Sequence, residues 1–297
     1  MKLIKRTEIT KPDVVYNLHI EKNNNYIANG VVVSNCHTSK AFTIKTILSK
    51  MKNAKYRYGF TGTMSPIKLD ILNVKAYLGP ILKTFCAAEL ADMGYISHCK
   101  VNYVNIMYDN KDRYIGEYND VKDMIFNNNN RLTYIRNVLE NLDGNVLVLV
   151  GKVEKEGQLL KDYLDGSNNG KKEIVFMYGD TKADEREYWR LELGKRNNII
   201  LIATYQLFQL GINAPTLKYI LFASPFKSKI RTLQSIGRAL RKHDSKDEAV
   251  IYDIVDNVLF LEDHGMRRRK YYVSEHFEID DKTYKEKNLA FGLTSNT

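Results

Sequence analysis

Short apolar runs alternate with helical patterns through the second half of the chain. Each run is about five residues long and has few polar interruptions, as in strands that are covered on both faces. Strands that alternate with helices form parallel sheets, so this pattern predicts a doubly wound α/β lobe over residues 144–260. The predicted strands are residues 146–150, 174–178, 199–203, 219–223 and 250–254, and the predicted helices are residues 153–164, 183–193 and 230–242.

The first 35 residues have the pattern of short strands. Residues 14–20 alternate between two faces, residues 26–28 are extended, and Asn29-Gly30 is a strong hairpin signal before the apolar residues 31–33. A segment this small cannot bury enough apolar surface to fold alone. The pattern by itself favours an N-terminal hairpin that docks on the domain after it.

Residues 36–85 combine helical patterns with a strand and a polar loop. Apolar positions three and four apart predict an amphipathic helix over residues 41–51, and a strand is predicted after it. The loop Thr61-Gly62-Thr63 follows that strand, which is where ligands bind in open α/β sheets. Another helix is expected between Ser65-Pro66 and Gly79-Pro80. These elements are those of a partial α/β lobe.

Residues 86–143 lack a regular pattern. They are polar and include several tyrosines and the asparagine run 127–130. We expect a linker region between two lobes here, with a hairpin around residues 95–107.

The last segment, residues 261–297, is expected to form a basic tail that frays after Asp280. Within it, residues 264–272 hold a basic and aromatic cluster that suits a nucleic-acid backbone and bases. Arg267 and Arg268 are the candidate contacts. A solvated helix end explains the cluster equally well.

The composition favours a polyanionic partner. Forty-five Lys and Arg against 35 Asp and Glu give a net charge of +10 and a pI near 9.2, although excess Lys can also be a solvated surface. No apolar run approaches the roughly 20 residues of a membrane span and no signal-peptide pattern occurs, so we expect a cytoplasmic protein with no membrane partner. The three cysteines show no metal-ligand spacing, so no metal site is expected from them; they are Cys36, Cys86 and Cys99.

The residues around the Asn35–Cys36 bond indicate peptide-bond chemistry. Residues 15–21 read VYNLHIE, residues 25–36 read NYIANGVVVSNC, and both stretches resemble the C-terminal splicing blocks of Hint-fold inteins. Because no N-terminal splicing block precedes them, residues 1–35 most resemble the C-terminal fragment of a split intein. The resemblance implies a matching N-terminal fragment on another chain.

The intein resemblance implies roles for three residues. The Cys36 thiol would accept the N-terminal extein as an acyl intermediate, and Asn35 would then cyclise to a succinimide and cut the bond between them. Proton transfer at the leaving amide needs an acid-base group, for which His19 is the candidate. The splicing rate is left open because the chain departs from the common family residues at three positions, Asn17, Asn24 and Ser34.

Four short motifs resemble those of superfamily 2 helicases. They are Cys36-His37 at the end of motif II, Thr61-Gly62-Thr63 as motif III, residues 204–213 as motif V, and residues 234–241 (QSIGRALR) as motif VI. Over residues 36–256 the chain is similar to UvsW-type phage DNA helicases. This resemblance implies an intracellular, phage-encoded α/β protein with a complete RecA-like second lobe and a partial first lobe, preceded by the small β-rich segment.

The last of these motifs has residues that suit phosphate binding. With helical spacing, Gln234, Arg238 and Arg241 share one face, and Gly237 permits the close approach of another backbone. Two guanidinium groups on one face can donate fork-like hydrogen bonds to phosphate oxygens. A solvated basic helix is the plain alternative.

The helicase resemblance implies a role for each matched position. Arg238 and Arg241 would contact the γ-phosphate of ATP, and His37 would complete the hydrolytic box. The nucleotide site would also include Gln234, Gly237, Gly211 and Asn213, the last of which stands where an acid is more common. The residues implied to act on the nucleic-acid strand are Thr61, Thr63 and Thr204.

The chain lacks the parts that bind most of a nucleotide. It has no G-x-x-x-x-G-K-S/T loop and no Asp-Glu pair directly before Cys36. We therefore expect ATP and Mg²⁺ to be bound mainly by a missing N-terminal part, and this chain alone to be inactive as an ATPase.

The leading interpretation is a C-terminal precursor of an ATP-dependent DNA helicase. Protein trans-splicing at the Asn35–Cys36 bond would join it to a partner chain that carries the N-terminal intein and helicase fragments. Its substrate would be single-stranded or branched DNA. A non-catalytic nucleic-acid-binding fragment and a subunit of a restriction motor are the alternatives.

Overall fold

The computed structural model divides into two compact units, Met1–Leu82 and Lys83–Thr297. It describes residues 25–28, 31–34, 49, 61–64, 67–167, 172–210, 216–244 and 246–288. The helix predicted over residues 41–51 and the strand predicted before Thr61 fall almost entirely outside these ranges.

In the first unit, the described strands form the predicted hairpin. Strand β1 (Asn25–Ala28) pairs antiparallel with strand β2 (Val31–Ser34). Helix α1 (Lys68–Leu78) ends at Gly79, which has a φ of 88° in the left-handed region that glycine tolerates best. The helix end predicted at Gly79-Pro80 is confirmed.

In the described part of the second unit, seven parallel strands form one sheet. The strands are β3 (His98–Met107), β4 (Val146–Val150), β5 (Glu173–Met177), β6 (Ile199–Thr204), β7 (Tyr219–Phe222), β8 (Glu248–Asp256) and β9 (Glu278–Lys285). Their order across the sheet is β5, β6, β4, β7, β8, β3, β9. The five strands predicted over residues 144–260 are confirmed, with shifts of one or two residues at their ends.

Helices cover both faces of this sheet, so the central strands are buried on both sides. In β4, Val146, Val148 and Val150 belong to one apolar cluster, whereas Leu147 and Leu149 belong to the other. This two-sided burial is the physical reason that the strands are continuous apolar runs rather than alternating ones.

The helices of the second unit follow the predicted alternation. They are α2 (Ala87–Asp92), α3 (Tyr118–Phe126), α4 (Asn129–Asn141), α5 (Leu159–Ser167), α6 (Ala183–Lys195), α7 (Tyr205–Leu210), α8 (Lys229–Ala239) and α9 (Leu259–Ser274). Apolar residues of α3, α4 and α5 join one cluster, and those of α6, α7 and α8 join the other. A π-helical turn at Val153–Gln158 leads into α5. Among the described helices, none is long and apolar enough to cross a membrane.

Residues 86–143 are not a linker, which corrects the sequence-based expectation. Strand β3 lies between β8 and β9, and its Val101, Val104 and Ile106 are fully buried. No hairpin forms around residues 95–107, because β3 is one continuous strand that pairs in parallel on both sides. The polar residues within β3, among them the buried Asn102, broke the apolar run by which the other strands were predicted.

The segment after residue 260 is also part of the fold rather than a tail. Helix α9 packs against β8, and β9 pairs with β3 from Lys100 opposite Glu278 to Met107 opposite Lys285. The chain therefore stays ordered as a strand past Asp280, contrary to the expected fraying. A strand at the edge of a sheet has one solvated side, so its sequence is polar and lacks the apolar run of a central strand.

Candidate nucleotide and nucleic-acid site

Helix α8 positions the motif VI side chains. Its buried residues are spaced i, i+3, i+4 and i+7 and pack on the sheet; they are Thr232, Ser235, Ile236 and Ala239. The side chain of Ser228 caps the first turn by accepting a hydrogen bond from the Arg231 backbone N–H at 3.3 Å. Gln234 and Arg238 lie one turn apart on the half-buried flank of this helix.

Arg238 is a half-buried cation at the end of α8. Its guanidinium carbon lies 5.2 Å from the centre of the Phe208 ring. Burial lowers the pKa of Arg238, and the positive charge of Arg241 lowers it further. Two neighbouring positive charges repel each other, so an anion bound at this place would be stabilised by both.

Arg241 is not on the helix, which corrects the prediction that it continues the face of Arg238. Helix α8 ends at Ala239, and the Lys246 ammonium donates hydrogen bonds to the carbonyls of Ala239 and Leu217, the latter at 2.8 Å. Arg241 instead forms an antiparallel β-bridge with Ile96 and is exposed. Because the helix has already ended, the bridge to Ile96 is what fixes the Arg241 backbone.

Gly237 is exposed on α8. A Cβ atom placed on it would meet no heavy atom within 4 Å. The sequence suggested that a backbone approaches Gly237 closely, and no such approach is found among the described residues.

Thr204 closes strand β6 at the carboxyl edge of the sheet, as expected for motif V. It is buried, and its hydroxyl accepts a hydrogen bond from the backbone N–H of Leu207 at 3.3 Å, which caps α7. The next residue, Tyr205, donates its hydroxyl to the Ser224 carbonyl at 2.9 Å. The motif V residues Gly211 and Asn213 lie outside the described residues.

In the first unit, the Thr61 hydroxyl holds the Thr61-Gly62-Thr63 loop through two hydrogen bonds to the Thr63 backbone. The Thr61 hydroxyl donates to the Thr63 carbonyl at 3.0 Å and accepts from the Thr63 backbone N–H at 3.3 Å. Both threonines are half-buried. The predicted splicing and motif II residues lie outside the described residues; they are His19, Asn35, Cys36 and His37.

Arg268 is not available to nucleic acid, which corrects its assignment as a contact. It is fully buried, and its guanidinium donates to both carboxylate oxygens of Asp253 at 2.7–3.1 Å. Burial opposes the charged form, but Asp253 outweighs it and raises the pKa of Arg268. Helix α9 turns one residue in three or four inward, so Arg268 faces the core while Arg267 faces solvent and pairs with Asp263 at 2.8 Å.

A second buried pair anchors the end of β8. Asp256 accepts hydrogen bonds from Arg131 Nε and from the Tyr108 hydroxyl, each at 2.7 Å. Arg131 also donates to the Ala223 carbonyl at 2.6 Å. The pair therefore ties α4 to two strand ends. Sequence reasoning missed it because its partners are 125 residues apart.

A buried carboxylate holds the loop after β4. Glu156 is fully buried in the π-helical turn, and its Oε1 lies 2.6 Å from the Lys122 ammonium. Its other oxygen accepts from the backbone N–H groups of Gly151 at 2.7 Å and Lys152 at 3.1 Å, and from the Ser224 hydroxyl. The loop is thus fixed at the carboxyl edge, where open α/β sheets bind ligands. The sequence offered one signal for it, a glycine directly after a strand.

Part of the second unit matches a known family. Residues 130–243 match the family described as the helicase conserved C-terminal domain. The ATP-dependent DNA helicase uvsW of Enterobacteria phage T4 is 25% identical over 270 residues, which is 84% of this chain and 53% of that protein. The chain therefore spans about half the length of the curated relative it matches. Both matches are to helicases, and the family match lies within the second unit.

Solved structures share the fold. The crystal structure of T4 UvsW matches with a TM-score of 0.55 and 24% identity, covering 86% of this chain and 53% of that one. A fragment of a putative HsdR subunit of a type I restriction enzyme from Vibrio vulnificus matches with a TM-score of 0.62 and 16% identity, covering 86% and 48%. The predicted α/β, RecA-like class is confirmed.

Proposed function

We propose that this chain is the C-terminal part of an ATP-dependent DNA helicase. The observation that carries the proposal is the placement of two arginines: the half-buried Arg238 lies on the last turn of α8, and the exposed Arg241 lies two residues beyond the end of that helix. An anion that both guanidinium groups can reach would be stabilised by two positive charges. The match of residues 130–243 to the helicase C-terminal domain supports ATP as that ligand.

ATP and Mg²⁺ would be held mainly by residues outside this chain. The residues present here fit the γ-phosphate end, because guanidinium groups donate in the fork geometry that phosphate oxygens accept. Arg238 and Arg241 would donate to that phosphate, and Gln234 would add an amide donor from the same flank of α8. Gly237, Gly211 and Asn213 would complete the nucleotide site. Bound Mg²⁺ supplies neutralisation of the developing phosphate charge.

Each unit by itself carries candidate contacts with DNA. Thr61 and Thr63 in the first unit and Thr204 in the second would couple the strand to the nucleotide. Arg267 is exposed and remains a candidate DNA contact, whereas the buried Arg268 is no longer a candidate. A net charge of +10 suits a phosphate backbone.

Protein trans-splicing would create the complete enzyme. The support is the resemblance of residues 1–35 to a split-intein C-terminal fragment, together with the β1–β2 hairpin that precedes Asn35. Cys36 and His37 would become the second half of an Asp-Glu-Cys-His box. In addition, four large apolar side chains among the described residues of the first unit are more than half exposed, and the partner's part of the first lobe would cover this surface; they are Ile67, Leu69, Leu72 and Leu82.

The roles of Arg238 and Arg241 are tested by measuring ATP turnover of the joined protein, which is the ligated product of trans-splicing. Replacing Arg238 or Arg241 by alanine should lower turnover on the order of 10³, as loss of an arginine finger does. Arg190→Ala, at a partly exposed arginine paired with Glu187 on α6, is the matched control and should leave turnover unchanged. Strand binding that persists in a joined protein without ATP turnover would identify a non-catalytic binding fragment instead.

The splicing step is tested separately by mass spectrometry. Coexpression with the matching N-terminal fragment should release residues 1–35 and yield a ligated product. Asn35→Ala should stop that release, because the side-chain amide that attacks the backbone carbonyl is gone, and it should leave the second unit folded. Release of the fragment from the Asn35→Ala variant, or absence of ligation in the unchanged chain, would refute the splicing assignment.

A further inference from the structure

Tyr95 is an exposed aromatic residue whose neighbour, Ile96, bridges the motif VI residue Arg241. Its side chain is 72% exposed, one of the highest values among the large apolar side chains described. Exposure of one large apolar group is unremarkable by itself. Its position on a rigid turn next to Arg241 is what sets it apart.

The backbone of Tyr95 is fixed by the end of helix α2. The Gly94 N–H donates to the Ala91 carbonyl at 2.8 Å and the Tyr95 N–H donates to the Leu90 carbonyl at 2.9 Å, the two bonds of a Schellman motif. Gly94 has the left-handed φ of 78° that this motif requires. The residue in the position of Tyr95 commonly packs back on its helix, yet Tyr95 points its ring to solvent.

The same turn is joined to the end of motif VI. Ile96 forms the β-bridge with Arg241, and the Ser97 N–H donates to the Leu240 carbonyl at 2.8 Å. On the other side of the bridge, the Lys242 ammonium lies 3.4 Å from where a Cβ on Gly94 would be. An exposed aromatic residue and two exposed cationic residues therefore lie on two bridged backbone segments of the second unit.

We propose that Tyr95 stacks on the base of the nucleotide whose phosphates are bound by Arg241. This inference rests on the proposed function and adds the residue that recognises the base. A preformed aromatic face loses little conformational entropy on binding, and every base offers a π-face to it. The contact therefore contributes affinity for nucleoside triphosphates without selecting adenine over guanine.

Isothermal titration of the 297-residue chain with ATP and with inorganic tripolyphosphate separates base from phosphate. Tyr95→Ala should weaken ATP binding about tenfold or more and leave tripolyphosphate binding unchanged, whereas Tyr95→Phe should retain ATP binding. The same substitution should weaken GTP binding by the same factor as ATP binding. Tyr188→Ala, at a tyrosine 53% exposed on α6, is the matched control. Circular dichroism checks that each variant is folded.

The outcomes distinguish this inference from the proposed function. Arg241→Ala should weaken ATP and tripolyphosphate alike; no effect of that change would count against the phosphate site itself. Unchanged ATP binding by Tyr95→Ala, or equal loss of both ligands, overturns the stacking role alone. Loss of binding to a single-stranded oligonucleotide with ATP binding retained would also overturn it, in favour of a strand contact.

Discussion

Arg267 and Arg268 are neighbours in the sequence, yet the fold gives them opposite environments. Arg268 points into the core and satisfies Asp253, whereas Arg267 lies half exposed beside Asp263. A run of basic residues on a helix cannot be interpreted as one surface, because successive residues are about 100° apart around the axis. Composition alone therefore overstated the basic surface of α9 by counting a core residue.

The difference between the two arginines is measurable by urea unfolding. Arg268→Ala should lower the free energy of unfolding by about 3–5 kcal/mol, because it leaves the fully buried Asp253 charge without its partner. Arg267→Ala should lower it by less than about 1 kcal/mol, since its ion pair is solvated. Similar losses for both variants would contradict the assignment of Arg268 to the core.

His264 gives the fold a dependence on pH. Burial lowers the pKa of His264 to about 4, and the positive charges of Lys227, Arg268 and Arg267 outweigh the opposing charge of Asp263. An unfolded histidine binds its proton near pH 6.5, so between pH 6.5 and 4 the unfolded state holds more protons than the folded state. The free energy of unfolding should therefore fall as the pH falls through this range.

The contribution of this histidine is isolated by substitution. His264→Asn should lose less stability than the unchanged protein when urea unfolding at pH 7 is compared with unfolding at pH 5. His98→Asn, at an exposed histidine, is the control. If His264→Asn shows the same pH dependence as the unchanged chain, burial of a neutral His264 is not its cause.

At the level of elements, the pattern of apolar residues predicted the strands that are buried on both faces and missed those that are not. Strands β4, β6 and β7 are continuous apolar runs because helices cover both sides of them. Strand β9 is polar because it is an edge strand, and β3 carries polar residues between its buried ones. Likewise, motif VI was recognisable in the sequence, but the end of α8 at Ala239 was not. Lys246 donates a hydrogen bond to the Ala239 carbonyl, and Ile96, which is distant in the sequence, forms the β-bridge with Arg241.

The contact between α9 and β8 depends on a glycine. A Cβ placed on Gly265 would lie 2.3 Å from the Val255 Cγ1 atom, so an added methyl group must displace either the Val255 side chain or the helix. Gly265→Ala should lower the free energy of unfolding by about 1–3 kcal/mol. Gly237→Ala, in the open part of α8, should instead raise it by up to about 1 kcal/mol, because alanine favours the helix. Thermal melts check both; a stabilising Gly265→Ala would contradict the close packing.

At the scale of the whole molecule, the chain spans about half the length of a helicase to which it is similar. It spans 53% of the phage T4 relative, and its sequence contains no phosphate-binding loop. The second unit supplies a sheet, a fixed carboxyl edge and two arginines that suit a phosphate. In the proposed enzyme the nucleotide is bound mainly by another chain, and this chain supplies the cations that act on its γ-phosphate.

The most direct test is to measure steady-state ATP turnover with and without single-stranded DNA. Three samples are compared: this chain alone, a partner chain that carries the phosphate loop and Asp-Glu, and the two chains together. We expect no turnover by either chain alone and DNA-stimulated turnover by the joined protein. ATP hydrolysis by this chain alone at the rate of the joined protein, or joined protein with no turnover, would contradict the division of the active site between two chains.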